Sequence, residues 1–166
     1  MELFQLSDER GNPTGSAARS ECHGNPDLIH LTVHLHVLDA GGGLFLQKRA
    51  LTKDTHPGEW DSSVGGHVQA GESVEHALMR EAREELGIDA SGAVPLFGYL
   101  YRSGGFETEY ARVFSLRYSG GFILDRSEID EGRFFRMEEI ERLIGTGALT
   151  PMFEHELPML RRALGA

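Results

Sequence analysis

The stretch "GHVQAGESVEHALMREAREELGI", residues 66–88, decides the reading of this chain. Its second half is patterned for a helix from about Ser73, a polar residue suited to cap a first turn, to Leu86, with Gly87 as the stop. At about 100° per residue, Val74, Leu78, Ala82 and Leu86 fall in one apolar arc. Glu85 falls inside that arc, and Glu81 and Glu84 lie along one flank of it. A merely solvated acidic face would lie opposite the arc. Like charges three and four residues apart on a helix cost roughly 0.2–0.5 kcal/mol per pair. Carboxylates crowded at the margin of a core therefore need a compensating cation, and hard oxygen ligands suit Mg²⁺ or Mn²⁺. Arg80, one turn before Glu84, supplies part of the positive charge.

Outward from the helix, the chain reads as one domain over residues 1–166. Residues 1–30 are turn-rich, with turns expected at "GNPTG" and "GNPD". "HLTVHLHVLD" (30–39) alternates and is β-branched, so it reads as a strand, and the following glycines turn it into "LFLQKR" (44–49) as a hairpin arm. "VPLFGYLYR" and "EYARVFSLRY" read as further strands. "MEEIERLIG" (137–145) reads as a helix, and "PMFEHELPMLRRAL" (151–164) as a last helical segment bent or interrupted at Pro158. Strands around one strong helix, with two more helices near the end, give an α/β (α+β) class: a mixed sheet sandwiched between helices.

Composition narrows the function classes. A formal net charge of −10 leaves no broad basic surface for a nucleic-acid polymer. No apolar run is long enough to cross a bilayer, and "MELFQLSDERGNPTG" lacks the apolar core of a signal peptide, so the expectation is a cytoplasmic protein without a membrane partner. The single cysteine, Cys22, excludes an internal disulfide. The two lysines, Lys48 and Lys53, both fall in "KRALTKD" with Arg49, a local cationic cluster in an acidic chain.

From Gly66 the spacing runs Gly, five residues, Glu72, seven residues, then Arg80-Glu81-Ala82-x-Glu84-Glu85-x-Gly87-Ile88. This resembles, position for position, the Nudix box of the Nudix hydrolases, at residues 66–88 of this chain. The resemblance implies a Nudix fold and a divalent cation held against a diphosphate. Glu84 and Glu85 match the principal metal ligands, Glu81 a further ligand or base, and the carbonyl of Gly65 a backbone ligand. Glu72 and Arg80 match residues that brace the glutamates. Members of the family are often dimers, so a homodimer is among the expectations.

A narrower resemblance covers most of the chain. "GNPTG", "KRALTKDTHPGEWDSSVGGH" (48–67) and the pair His23 and His30 look like type I isopentenyl-diphosphate isomerase, with residues 1–30 as its N-terminal extension. That likeness implies a second metal site of His23, His30, His67, Glu107 and Glu109, and diphosphate contacts from Arg49 and Lys53. The isomerase has a catalytic cysteine where this chain has Gly65, and its box is degenerate while this one is complete. The expected activity is therefore metal-dependent hydrolysis of a diphosphate linkage in a small-molecule X–P–P–Y substrate, nucleoside-diphosphate-type or related. The alternatives are an isomerase-like activity on isopentenyl diphosphate and a non-catalytic diphosphate-sensing module. Glu128 and Glu131, ahead of a short strand, are further candidates for a distal acid, and Trp60 for a stacking platform.

Overall fold

The computed structural model describes residues 1–165. Along the chain run β1 (Leu3–Ser7), β2 (Pro13–Ala18), α1 (Arg19–Cys22), β3 (Ile29–Leu38), β4 (Leu44–Arg49), β5 (Trp60–Asp61), β6 (Val64–His67), α2 (Val74–Leu86), β7 (Val94–Ser103), β8 (Glu107–Arg117), β9 (Ile129–Phe135), α3 (Met137–Leu143) and α4 (Pro151–Leu164).

Strand β3 organises the rest. β8 lies parallel to it from Ile29↔Thr108 to Leu38↔Arg117. Its other edge is shared in succession by β1 (Leu6↔His30), β6 (Thr32↔His67 to Leu35↔Val64) and β4 (Leu38↔Leu44). β7 extends the sheet beyond β8, β9 and β5 extend it beyond β4, and β2 pairs with β1. This mixed, curled sheet has helices on both sides, as the periodicities indicate.

Strand alternation sorts the side chains of β3. Leu31, Val33, Leu35 and Val37 join the core beneath α2, with Ala77, Leu78, Ala82 and Leu86 of that helix. The even positions His30, Thr32, His34 and His36 are also buried, on the opposite side, where α4 packs. A second core there joins Leu44, Leu46 and Phe135 to Ile140 of α3 and to Phe153, Leu157 and Leu160 of α4.

The local signals of α2 are realised. Ser73 Oγ accepts from the His76 N–H at 3.1 Å, and Gly87 closes the helix at φ +66°, a conformation that favours glycine. Two elements differ from expectation. Residues 1–30 contain a β-hairpin, β1–β2, although "PTGSAA" has no apolar alternation and only Thr14 as a β-branched residue; its strand conformation is imposed by pairing along β1. Helix α4 runs uninterrupted through Pro158. Thr150 caps it, Pro151 starts it, and its buried Phe153, Leu157 and Leu160 hold both halves against one core, which offsets the lost hydrogen bond. Among the described residues, no helix is long and apolar enough to cross a membrane.

Candidate active site

The short strand β6 separates two acidic constellations. Its successive residues face opposite ways: Gly66 lies against Glu81 of α2, while Gly65 lies beside His34 on the other side. At Gly66 a Cβ would sit 2.1 Å from Glu81 Cδ, so only glycine lets the helix carboxylate approach the strand. At Gly65 a Cβ would meet nothing closer than Ser62 Oγ at 3.7 Å. Gly66→Ala is therefore expected to cost about 1–3 kcal/mol through overpacking and to displace Glu81, whereas Gly65→Ala leaves stability unchanged. Thermal melts of the two variants check this; equal melting temperatures would contradict the close approach.

On the α2 side Arg80 is the hub. Its guanidinium donates to both oxygens of Glu72 (2.8 and 3.0 Å), to Glu81 (2.8 Å), to the His67 carbonyl (3.0 Å) and, more weakly, to Glu84 (3.4 Å). Burial alone would raise the Glu72 carboxyl, but Arg80, the Gln69 N–H and His76 hold it down at about 2. Glu85 is the opposite case. Burial and the neighbouring Glu81 push it well above the carboxylate range, against hydrogen bonds from Gln47 Nε2 (2.7 Å) and the Gly65 backbone. Burial likewise raises Glu81, although Arg80 opposes it. Glu84 is exposed at the rim. Two partly buried carboxylates whose ionisation is left costly are a donor set that a hard divalent cation fits.

On the other side of β6, His30, His67 and Glu109 are, among the described residues, the one group of three such side chains whose ligand atoms all lie within 4.8 Å of one another. His23 and Glu107 adjoin them. His23 Nε2 stands 3.5 Å and His30 Nε2 3.8 Å from Glu107, and His30 Nε2 is 3.6 Å from Glu109. These gaps are long for hydrogen bonds. They suit donors ranged about an ion, whose neighbouring ligands stand roughly 3 Å apart when each bond is about 2.1 Å. Both ring nitrogens of His30, Nε2 of His67 and one oxygen of Glu107 are buried without a partner among the described residues. Such groups are costly to bury unless something binds them. Burial holds the His67 imidazole neutral, its pKa brought down to about 3, and Phe4 stacks on that ring at 3.9 Å. Burial would raise Glu109, yet the adjacent His30 and His67 keep it at about 2. A neutral imidazole beside an ionised carboxylate fits a divalent metal ion.

Arg49 and Lys53 are turned toward acids. Arg49 pairs with Asp61 at 3.5 Å and with Thr55, and Lys53 pairs with Glu128. Glu131 lies within β9, and Trp60 stands edge-on to Phe135 at 4.8 Å. Sequence reasoning missed a buried polar cluster on the His/Glu side. Glu156 of α4 takes His34, His36 and the Tyr99 hydroxyl (2.7 Å) on its two oxygens. Burial opposes a charged ring at His34, but Glu156 prevails and its pKa is pushed up to about 9. A signal was present in "HLTVHLHVL", whose His30, His34 and His36 share one strand face. Nothing local pointed to Glu156.

A family model described as the NUDIX domain matches residues 28–160. The isopentenyl-diphosphate Delta-isomerase of Brevibacterium linens is 35% identical over 149 residues, covering 87% of this chain and 82% of the relative. An uncharacterised Nudix hydrolase of Listeria monocytogenes is 32% identical over 155 residues, covering 92% of this chain and 90% of the relative. Among solved structures, DR0079 from Deinococcus radiodurans superposes with a TM-score of 0.79 at 27% identity, covering 97% of this chain and 98% of that one. A MutT protein from Methanosarcina mazei shares the fold with a TM-score of 0.66 at 23% identity, over 85% and 95% of the two chains.

Proposed function

The chain belongs to the Nudix family, and from that premise we propose that it is a metal-dependent hydrolase of a phosphoanhydride bond in a small-molecule diphosphate, X–P–P–Y. The observation that carries the reading is the complete acidic flank of α2: Glu81, braced by Arg80 and through it by Glu72, and Glu85, held by Gln47, are partly buried, and desolvation makes the ionised form of each costly. Such a cost is maintained where a cation and a phosphate offset it.

Mg²⁺ or Mn²⁺, when bound, neutralises phosphate oxygens and acidifies a water. Glu85 and Glu84, with the Gly65 carbonyl, are the residues to hold it. Glu81, its pKa raised by burial toward the working range of a general base, accepts the proton of the attacking water. Arg80 keeps Glu81 and Glu72 in place, and the His67 carbonyl ties that guanidinium to β6. His23, His30, His67, Glu107 and Glu109 would hold a second divalent cation. Arg49 and Lys53 reach substrate phosphate by exchanging their present carboxylate partners for it.

The second reading, isomerisation of isopentenyl diphosphate, is favoured by the His/Glu centre and by the isomerases among the relatives. It lacks an acid at Gly65, where there is no side chain to deliver a proton. ³¹P NMR of the protein with Mg²⁺ and a set of diphosphates including isopentenyl diphosphate separates the two. Hydrolysis replaces one diphosphate signal by monophosphate signals. Unchanged phosphorus spectra with deuterium entering the prenyl chain from D₂O would replace the hydrolase by the isomerase. Saturable binding with neither change would make it a sensing module.

A further inference from the structure

Glu85 is the acid of the α2 flank that Arg80 does not serve. The Arg80 guanidinium donates to Glu72, Glu81 and Glu84. Among the described residues, the one side chain that donates to Glu85 is Gln47, from Nε2 to Oε2 at 2.7 Å. Gln47 is only 7% exposed. It stands in β4 opposite Asp61 of β5 and Gly132 of β9, so its backbone is held along both edges. Strand alternation gives it the same face as Phe45, the face packed beneath α2.

The amide of Gln47 can point only one way. Its Nε2 also donates to the Ser63 carbonyl at 3.0 Å, so both N–H bonds have acceptors. Turned over, the amide would set its own oxygen against two others. Ser63 is fixed in turn: it is fully buried, and its hydroxyl accepts from the Val37 N–H at 2.9 Å and donates to the Phe45 carbonyl. The sheet thus holds the Glu85 carboxylate through a short chain of committed hydrogen bonds.

The donor is neutral, and that matters. Glu81 and Asp61 both repel a charge on Glu85. An arginine or lysine at position 47 would relieve the repulsion, but it would also neutralise the charge that a bound cation needs. An amide orients the carboxylate and leaves its charge in place. It also makes the two oxygens unequal, since Oε2 carries the short bond while Oε1 has no side-chain partner among the described residues. Mg²⁺ holds octahedral ligands at about 2.1 Å and therefore roughly 3 Å apart, wider than the bite of one carboxylate, whereas Ca²⁺, at about 2.3–2.6 Å, accepts both oxygens of one.

We propose that Gln47 is a positioning residue that ties one oxygen of Glu85 and presents the other alone, so that the α2 site takes a small octahedral cation, Mg²⁺ or Mn²⁺, in preference to Ca²⁺. This rests on Glu85 as a metal ligand of the proposed hydrolase and adds the basis on which the cation is chosen.

Calorimetric titration of the full chain with Mg²⁺ alone and with Ca²⁺ alone tests it, comparing wild type with Gln47→Met, which keeps the length of the side chain and loses the donor. Cation taken up by the His/Glu centre lies on the other side of the sheet and is common to both proteins. Gln47→Met is expected to bind Mg²⁺ about tenfold more weakly while Ca²⁺ binding is held or tightened. Thermal melts establish that the variant folds. Equal weakening of both cations in the folded variant, or of neither, would overturn the proposal.

Infrared difference spectra of wild type, Mg²⁺-loaded minus metal-free, give a readout that needs no change at Gln47. The carboxylate bands that Glu85→Gln lacks should show the wide separation of symmetric and antisymmetric stretches that marks ligation through one oxygen. The narrow separation of a chelating carboxylate would overturn the proposal, and this measurement decides alone if Gln47→Met does not fold. Mg²⁺ binding in Glu85→Gln equal to that of wild type would remove Glu85 from the metal site and the proposal with it. Failure to cleave any diphosphate, with the expected binding results intact, would remove the hydrolase and leave the role of Gln47 standing.

Discussion

Glu85→Gln is expected to lower Mg²⁺-dependent cleavage of the substrate by at least about a hundredfold, because the variant loses an anionic metal ligand. Metal-free protein is expected to respond in the opposite sense and to melt higher at pH 8. The sign follows from burial. The carboxyl of Glu85 sits well above its ordinary 4.5 in the folded chain, pushed first by desolvation and then by Glu81. A group whose folded pKa is raised contributes stability below the unfolded value, and that stability is lost as pH rises through the folded pKa. As pH rises above the ordinary 4.5 wild-type Glu85 progressively loses that stability, whereas the amide does not titrate. Melting curves in EDTA from pH 4 to 8 should fall more steeply for wild type than for the variant, and Mg²⁺ should restore wild type most at the alkaline end. Wild-type turnover in Glu85→Gln would remove the residue from the metal site. Parallel melting curves would remove the argument from burial.

Arg80→Leu should be the most damaging change to the fold at this site. It leaves Glu72 and Glu81 without their shared cation and the His67 carbonyl without its donor. Removing one partner from a largely buried ion pair costs about 3 kcal/mol, which for a chain of this size lowers the melting temperature by roughly 6–12 °C. The pH signature is separate from that of Glu85. Glu72 is held at about 2 despite burial, so its contribution is present above the ordinary 4.5 and is lost as pH falls toward 2. Wild type should lose stability over that acid range and Arg80→Leu should lose less, while Arg80→Lys recovers only part because a point charge cannot serve all the acceptors at once. Urea unfolding at pH 7 and pH 3 measures both effects, and a variant as stable as wild type at pH 7 would mean the bracing is incidental.

Lys53 and Arg49 show where a linear reading stops. As a cationic cluster in an acidic chain they were legible, but their partners were not: Glu128 and Asp61 reach them only through the pairing of β4 with β9 and β5. Helix α4 marks another limit. A proline in the middle of a helical pattern argues for a break, and the burial that carries the helix through it depends on a core assembled from β4, β9 and α3.

The sequence by itself determined what is local. The period of "VEHALMREAREEL", its serine cap and glycine stop established α2, and the same phase placed Glu85 in the buried arc and Glu81 on its flank, because helical geometry fixes direction from position alone. It also determined the even face of β3, where His30, His34 and His36 lie together. Tertiary structure decided which distant segments those faces meet. His30 and His67 come within reach of Glu109 because β6 and β8 flank β3 on opposite edges, and Glu156 arrives among histidines about 120 positions earlier because α4 crosses that face. Strand neighbours are chosen by the burial of a whole sheet, a collective quantity that no short window of residues contains.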